Sequence, residues 1–234
     1  MSRQGYPTAM PTPATLVSTT VLKSVPLFAS FPDEQLRMLA SVVTRRSVPR
    51  GSVVMAAGDQ LDSLYIVISG RLKVMMGDAD GKEVILSLIG PGEFFGEMGL
   101  IDESPRSASV VSTEPCELIG LAKRDFRRCL AENFEMAMTV MKGLVRRLRE
   151  ADRKIGSLAL LDVYGRVARL LLDMSETVNG QRVVARRLPK QDIAKMIGAS
   201  REMVSRVMKD LQLGGYIETR GSTIILRDSI LLRE

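Results

Sequence analysis

The sequence predicts an α+β fold in three parts: an N-terminal jelly roll, a long helix that pairs with a second copy, and a C-terminal winged helix-turn-helix. Three observations carry this. Gly58, Gly70, Gly81 and Gly92 recur every 11 or 12 residues between short apolar runs, the rhythm of strands and turns in a double-sheet β fold. Apolar residues then step by three and four through residues 134–158, a helical seam. Residues 190–211 hold two short amphipathic segments joined by Gly198, Ala199 and Ser200, the layout of a helix-turn-helix. The expected boundaries are a disordered arm at 1–20, the jelly roll at 21–132, the pairing helix at 133–157 and the winged domain at 158–234.

Composition narrows the chemistry. The 234 residues carry a formal charge of +6 and no histidine. Without imidazole there is no Ser-His-Asp or Cys-His catalysis, no His-ligated haem and no common zinc site. With no nucleophile–base pair or metal cluster in sight, an enzyme is not expected. Two cysteines, Cys116 and Cys129, are too few for a disulfide framework or a four-cysteine cluster, and read as reduced thiols packed as small hydrophobes. No apolar run approaches membrane-spanning length and the start lacks a signal-peptide layout, so the expected location is the cytoplasm. Charge is uneven. Residues 158–234 hold 13 Lys+Arg against 9 Asp+Glu, or +4, and the preceding 157 residues hold 20 against 18, or +2. The basic excess suits a nucleic-acid partner of the C-terminal part.

Taken in order, Pro7, Pro11 and Pro13 among Thr and Ser give the arm little to bury. An acidic first turn followed by Leu36, Leu39, Ala40 and Val43 predicts a short helix over residues 32–41. Residues 53–55, 64–68, 72–75 and 84–88 have strand character, and 110–111 with 116–121 close the roll. Between these lies a compact constellation at residues 92–111. Gly96 lets backbone approach a ligand. The turn 97–100, with Met98, offers N–H groups to an anion. Glu97 supplies a carboxylate for a sugar hydroxyl, and Arg106 and Ser107 supply a guanidinium fork and a hydroxyl for a phosphate. The competing reading makes Phe94, Phe95 and Leu100 core and Glu97–Arg106 a structural ion pair.

The seam of the long helix is Phe134, Ala137, Met141, Leu144, Leu148, Ala151, Ile155 and Leu158. An a/d stripe this narrow favours pairing of two helices, hence a homodimer, over the alternative of a helix lying on its own jelly roll. A second helix follows around residues 160–175. In the next motif, Ile193, Ala194 and Ile197 face inward, Ser200 caps, and Val204, Val207, Met208 and Leu211 bury the second helix. Its outer face begins with Arg201, Glu202 and Arg206. Arg201 and Arg206 suit guanine O6 and N7, Glu202 suits cytosine N4, and Lys190, Gln191 and Ser200 are placed to hold phosphates. Residues 216–226 read as a hairpin with Arg220, Gly221 and Ser222 at its tip.

The order Phe-Gly-Glu-x-x-Leu then Pro-Arg-Ser-Ala-x-Val over residues 95–110 resembles the phosphate-binding cassette of cyclic-nucleotide-binding domains. Cassette, long helix, helix-turn-helix and wing together resemble the bacterial cyclic-AMP receptor protein and fumarate–nitrate regulator family, over about residues 22–228. The resemblance implies that Gly96, Glu97, Arg106 and Ser107 hold ribose and cyclic phosphate, with Arg147 nearby. It implies that Arg201, Glu202 and Arg206 read a half-site similar to TGTGA, two such half-sites meeting a two-fold dimer. RNA polymerase would be a partner, and a membrane would not. No tightly bound cofactor is expected; a cyclic nucleotide acts as effector.

Two departures matter. The receptor proteins place a Thr-Ser pair where this chain has Ala151 and Asp152. An ionised Asp152 accepts only, which matches the N1–H and N2–H pair of guanine and half of adenine's edge. Cyclic AMP, a guanine-type effector such as cyclic GMP or cyclic di-GMP, and no cyclic nucleotide at all therefore stay open, as does a purely structural pairing of Asp152 with Arg149 or Arg153. Pro189 stands where the family places a Thr or Ser cap. The functional expectation is a cyclic-nucleotide-responsive DNA-binding transcription regulator. The rival is a nucleotide-binding module that controls a protein partner.

Overall fold

The computed structural model describes residues 17–60, 62–186 and 188–227. The chain forms two compact units, the first through Val145 and the second from Arg146.

The first unit opens with α1 (Thr19–Lys23), a 3-10 turn (Pro26–Phe28) and α2 (Asp33–Val42). Residues 17–20, expected in the arm, belong to this fold. Val17 is buried, and the Ser18 side chain accepts the Val21 N–H at the start of α1. Residues 1–16 lie outside the described residues. The strands are β1 (Thr44–Val48), β2 (Val53–Met55), β3 (Ser63–Ser69), β4 (Leu72–Gly77), β5 (Glu83–Ile89) and β6 (Phe94–Phe95). Then come α3 (Met98–Asp102), β7 (Ser109–Ser112), β8 (Cys116–Ala122), α4 (Lys123–Glu132) and α5 (Phe134–Leu160). Two antiparallel four-stranded sheets result, in orders β1-β8-β3-β6 and β2-β7-β4-β5.

Strand β3 explains the layering. Leu64 and Ile66 turn to a core shared with Phe28, Leu36, Ile119 and Phe126, while Val67 turns to the core between the sheets with Leu72, Val110 and Leu118. Both faces of its sheet are thus covered, which is why residues 64–68 read as a continuous apolar run rather than an alternation. Cys116 and Cys129 are free and buried, as expected for small hydrophobes.

Helix α5 is continuous over 27 residues. Met136 and Val140 bury against the first unit's core. Leu144 of the seam packs, partly buried, against the same core, while Phe134, Met141, Leu148, Ile155 and Leu158 are exposed by 46–72%. The alternative in which the seam lies on the jelly roll holds for Leu144 and does not describe the exposed Phe134 and Met141.

The second unit continues with α6 (Val163–Asp173), β9 (Glu176–Val178), β10 (Gln181–Val184), α7 (Lys190–Ile197), α8 (Arg201–Leu213), β11 (Ile217–Arg220) and β12 (Thr223–Leu226). Asp162 caps α6 by accepting the Gly165 N–H at 2.8 Å. The predicted hairpin is present as β11–β12, and it extends a sheet of order β11-β12-β10-β9. The β9–β10 turn has Asn179 at φ 50° and Gly180 at φ 76°, the pair of positive φ values a two-residue type I′ turn requires. Val167, Leu171, Ile193, Val204, Leu211 and Ile224 centre the core. Among the described residues no helix is long and apolar enough to cross a membrane, and no His/Cys/Asp/Glu cluster could hold a metal.

Candidate ligand pocket and nucleic-acid interface

The cassette runs from β6 through α3 to β7. Phe94, Phe95 and Leu100 are core, which anchors both ends of the α3 turn. Gly96 adopts φ +86°, and a Cβ there would fall 2.6 Å from Arg106 Nη1 and 2.7 Å from Met55 Cε. The position therefore needs glycine on two grounds, backbone and space. Glu97 is 1% exposed and Arg106 7% exposed. Charged side chains are almost never this enclosed unless paired.

Arg106 is placed by backbone. Its Nη1 donates to the Gly96 carbonyl and its Nη2 to the Ser63 carbonyl, each at 2.6 Å. The Asp62 carboxylate lies 3.8 Å from Nη2. Burial pushes the guanidinium pKa down, and Asp62, Tyr65, Glu97 and Asp59 oppose that shift. A guanidinium keeps its charge through such a shift. Its five N–H groups outnumber these two carbonyl bonds, so the fork is oriented without being used up. Ser107 beside it is exposed, as is Met98 at the first position of α3.

At the far end of α3, Glu103 holds a left-handed φ of 60°. Arg127 of α4 donates to its Oε1 at 2.6 Å and to the Leu100 carbonyl at 3.3 Å, with Lys123 at 3.6 Å. The Arg127 hydrogen bond and the two cations hold the Glu103 carboxyl below its ordinary range. The sequence reading missed this clamp and the role of Ser63. A carbonyl has no residue-type signature, and the charges of α4 gave no motif.

Gly96, Glu97, Met98, Arg106 and Ser107 thus come together in the first unit. Arg147, half-buried, and Asp152, exposed, belong to α5 beyond Val145, in the second unit.

In the second unit, Gly198 closes α7 at φ 64° and Ser200 opens α8, its Oγ accepting the Met203 N–H at 3.1 Å. Arg166 of α6 donates from Nη1 to the Ile197 carbonyl at 2.8 Å, tying down the turn. Val204, Val207, Met208 and Leu211 are buried, which leaves Arg201, Glu202 and Arg206 on the exposed face. Gln191 is exposed and Lys190 half-buried at the start of α7. Pro189 precedes that helix without a side-chain cap, and α7 forms regardless.

The model of the cyclic nucleotide-binding domain matches residues 45–133, and that of the Crp-like helix-turn-helix domain matches residues 165–234. The cAMP-activated global transcriptional regulator CRP of Pasteurella multocida is 36% identical over 83% of this chain and 95% of its own. The chain belongs to the CRP/FNR family. The cAMP-activated global transcriptional regulator Vfr of Pseudomonas aeruginosa is 35% identical over 78% of this chain and 88% of its own. Among solved structures, the c-di-GMP responsive global regulator CLP of Xanthomonas campestris is 33% identical with a TM-score of 0.69, covering 81% of this chain and 96% of the other. As a CRP/FNR member the chain is a DNA-binding transcription regulator with a cyclic nucleotide-binding domain, not an enzyme.

Proposed function

We propose that the protein is a homodimer whose affinity for specific DNA is set by a cyclic nucleotide in the cassette. The observation that carries this is the enclosed Arg106 guanidinium, aimed by the Gly96 and Ser63 carbonyls beside a glycine whose Cβ would fall 2.6 Å from it. Glu97 would accept from the ribose, Arg106 and Ser107 would take the phosphate with the Met98 turn, and Arg147 would contribute from α5. The exposed seam supports pairing of two α5 helices, since burying it removes large apolar side chains from water. Each copy would then read one half-site similar to TGTGA: Arg201 and Arg206 on guanines, Glu202 on cytosine, Lys190, Gln191 and Ser200 on phosphates. RNA polymerase is the partner such a regulator addresses, in the cytoplasm. Ligand shifts the DNA affinity only if it binds the DNA-competent arrangement more tightly.

Two effectors have support. Cyclic AMP is the activator in the names of the Pasteurella and Pseudomonas relatives. A guanine-type ligand is favoured by Asp152, whose carboxylate matches two guanine donors, and by the description of the Xanthomonas regulator as c-di-GMP responsive. Parallel calorimetric titration with cyclic AMP, cyclic GMP and cyclic di-GMP separates them. Preference for a guanine ligand that disappears in Asp152→Ala assigns the base reader. Binding of cyclic AMP alone sets Asp152 aside. Silence with all three overturns the effector reading and leaves a DNA-binding dimer with another signal.

A further inference from the structure

We infer that Met203 is a further specificity-determining residue, reading a thymine methyl group within the half-site. The inference rests on α8 being the recognition helix. Met203 is 44% exposed on that helix. It adds nothing to the buried stripe of Val204, Val207, Met208 and Leu211. A single exposed apolar side chain is ordinary on a protein surface; this one is distinguished by its neighbours. It follows Glu202 directly and precedes Arg206 by three residues, and Glu202 and Arg206 are four apart. Positions three and four apart on a helix are surface neighbours, so Glu202, Met203 and Arg206 form one continuous patch.

The chemistry of Met203 restricts what it can do there. A thioether is a weak acceptor and no donor, which rules out a phosphate contact. Its backbone N–H is already taken by Ser200 Oγ at 3.1 Å. In the major groove, the 5-methyl group of thymine is the apolar feature that base edges offer. A long, unbranched and polarisable side chain suits contact with a methyl group whose distance is set by its neighbours. With Arg206 on a guanine and Glu202 on a cytosine, Met203 is held against the adjoining base pair.

The test uses the full-length protein and a site selected from a random DNA pool. Each thymine of the half-site is replaced in turn by deoxyuridine, which removes the methyl group and keeps every hydrogen-bonding group. Burial of one methyl group corresponds to about a fourfold change in affinity. The expected result is one thymine per half-site whose replacement weakens binding by that factor. The penalty should vanish in Met203→Ala and persist in Met203→Leu. A penalty that survives unchanged in Met203→Ala, a flat uracil scan, or a selected half-site lacking thymine overturns the proposal. Arg206→Ala, measured alongside, separates the two levels. If it leaves specific affinity unchanged, the recognition-helix reading itself has failed. If it weakens binding while the scan is flat, only the role of Met203 has failed. Thermal melting of Met203→Ala, expected at the wild-type midpoint because the side chain is exposed, excludes misfolding as the cause.

Discussion

Single residues do the most demanding work in the cassette. Gly96 combines a φ of +86° with a backbone so close to Arg106 that one added carbon would fall 2.6 Å from Nη1. Gly96→Ala should therefore cost about 1–3 kcal/mol in backbone strain and push the guanidinium out of its carbonyl cradle. The expected outcome is a lower melting midpoint together with at least a tenfold loss of cyclic-nucleotide affinity by calorimetry. Sequence made Gly96, Glu97 and Arg106 visible because glycine, carboxylate and guanidinium each have a distinct chemistry at a distinct spacing. It could not show the Ser63 carbonyl, because any residue at 63 would provide one. Nor could it show the Glu103–Arg127 clamp, whose partners stand 24 residues apart and meet only through the fold.

Among the elements, α8 is defined by its first turn. Ser200 suits both a cap and a phosphate contact by its chemistry, and the structure shows the cap. The two roles separate by substitution. Ser200→Ala should lose about 1 kcal/mol of stability in thermal melts. Ser200→Asp should restore it, since a carboxylate caps and suits the helix N-terminus, yet weaken DNA binding at low salt by repelling phosphate. In α5, Leu148→Glu combined with Ile155→Glu should convert the proposed homodimer to a monomer in sedimentation experiments. The sequence displayed this seam because its spacing is unbroken over three heptads. It concealed α4, where Phe126 and Cys129 are buried among Lys123, Arg124, Asp125, Arg127 and Arg128, so that charge masks the period. The β9–β10 hairpin was overlooked although Asn179–Gly180 is a strong turn signal. Its strands are three and four residues long; β9 is exposed throughout and β10 buries only its last residue, Val184, fully, too little for an alternation to show.

For the whole molecule, the division into two compact units predicts separable functions. Arg106→Leu should abolish the response to cyclic nucleotide and leave ligand-independent DNA binding in gel-shift assays. Arg201→Ala should weaken specific binding by roughly 1–3 kcal/mol and leave calorimetric ligand binding intact. DNA affinity itself should fall steeply as salt rises, through counterion release at the phosphates. The two cysteine thiols lead to a different kind of statement. Burial, the largest influence on each, pushes the thiols of Cys116 and Cys129 upward, so at neutral pH both are protonated. Peroxide attacks thiolates, and neither of these thiols is ionised. With no imidazole anywhere in the chain, mild acidification also lacks its usual target. Cysteine-directed oxidation and small pH swings should pass this regulator by, whereas exposed methionines such as Met98 and Met203 stay open to sulfoxide formation.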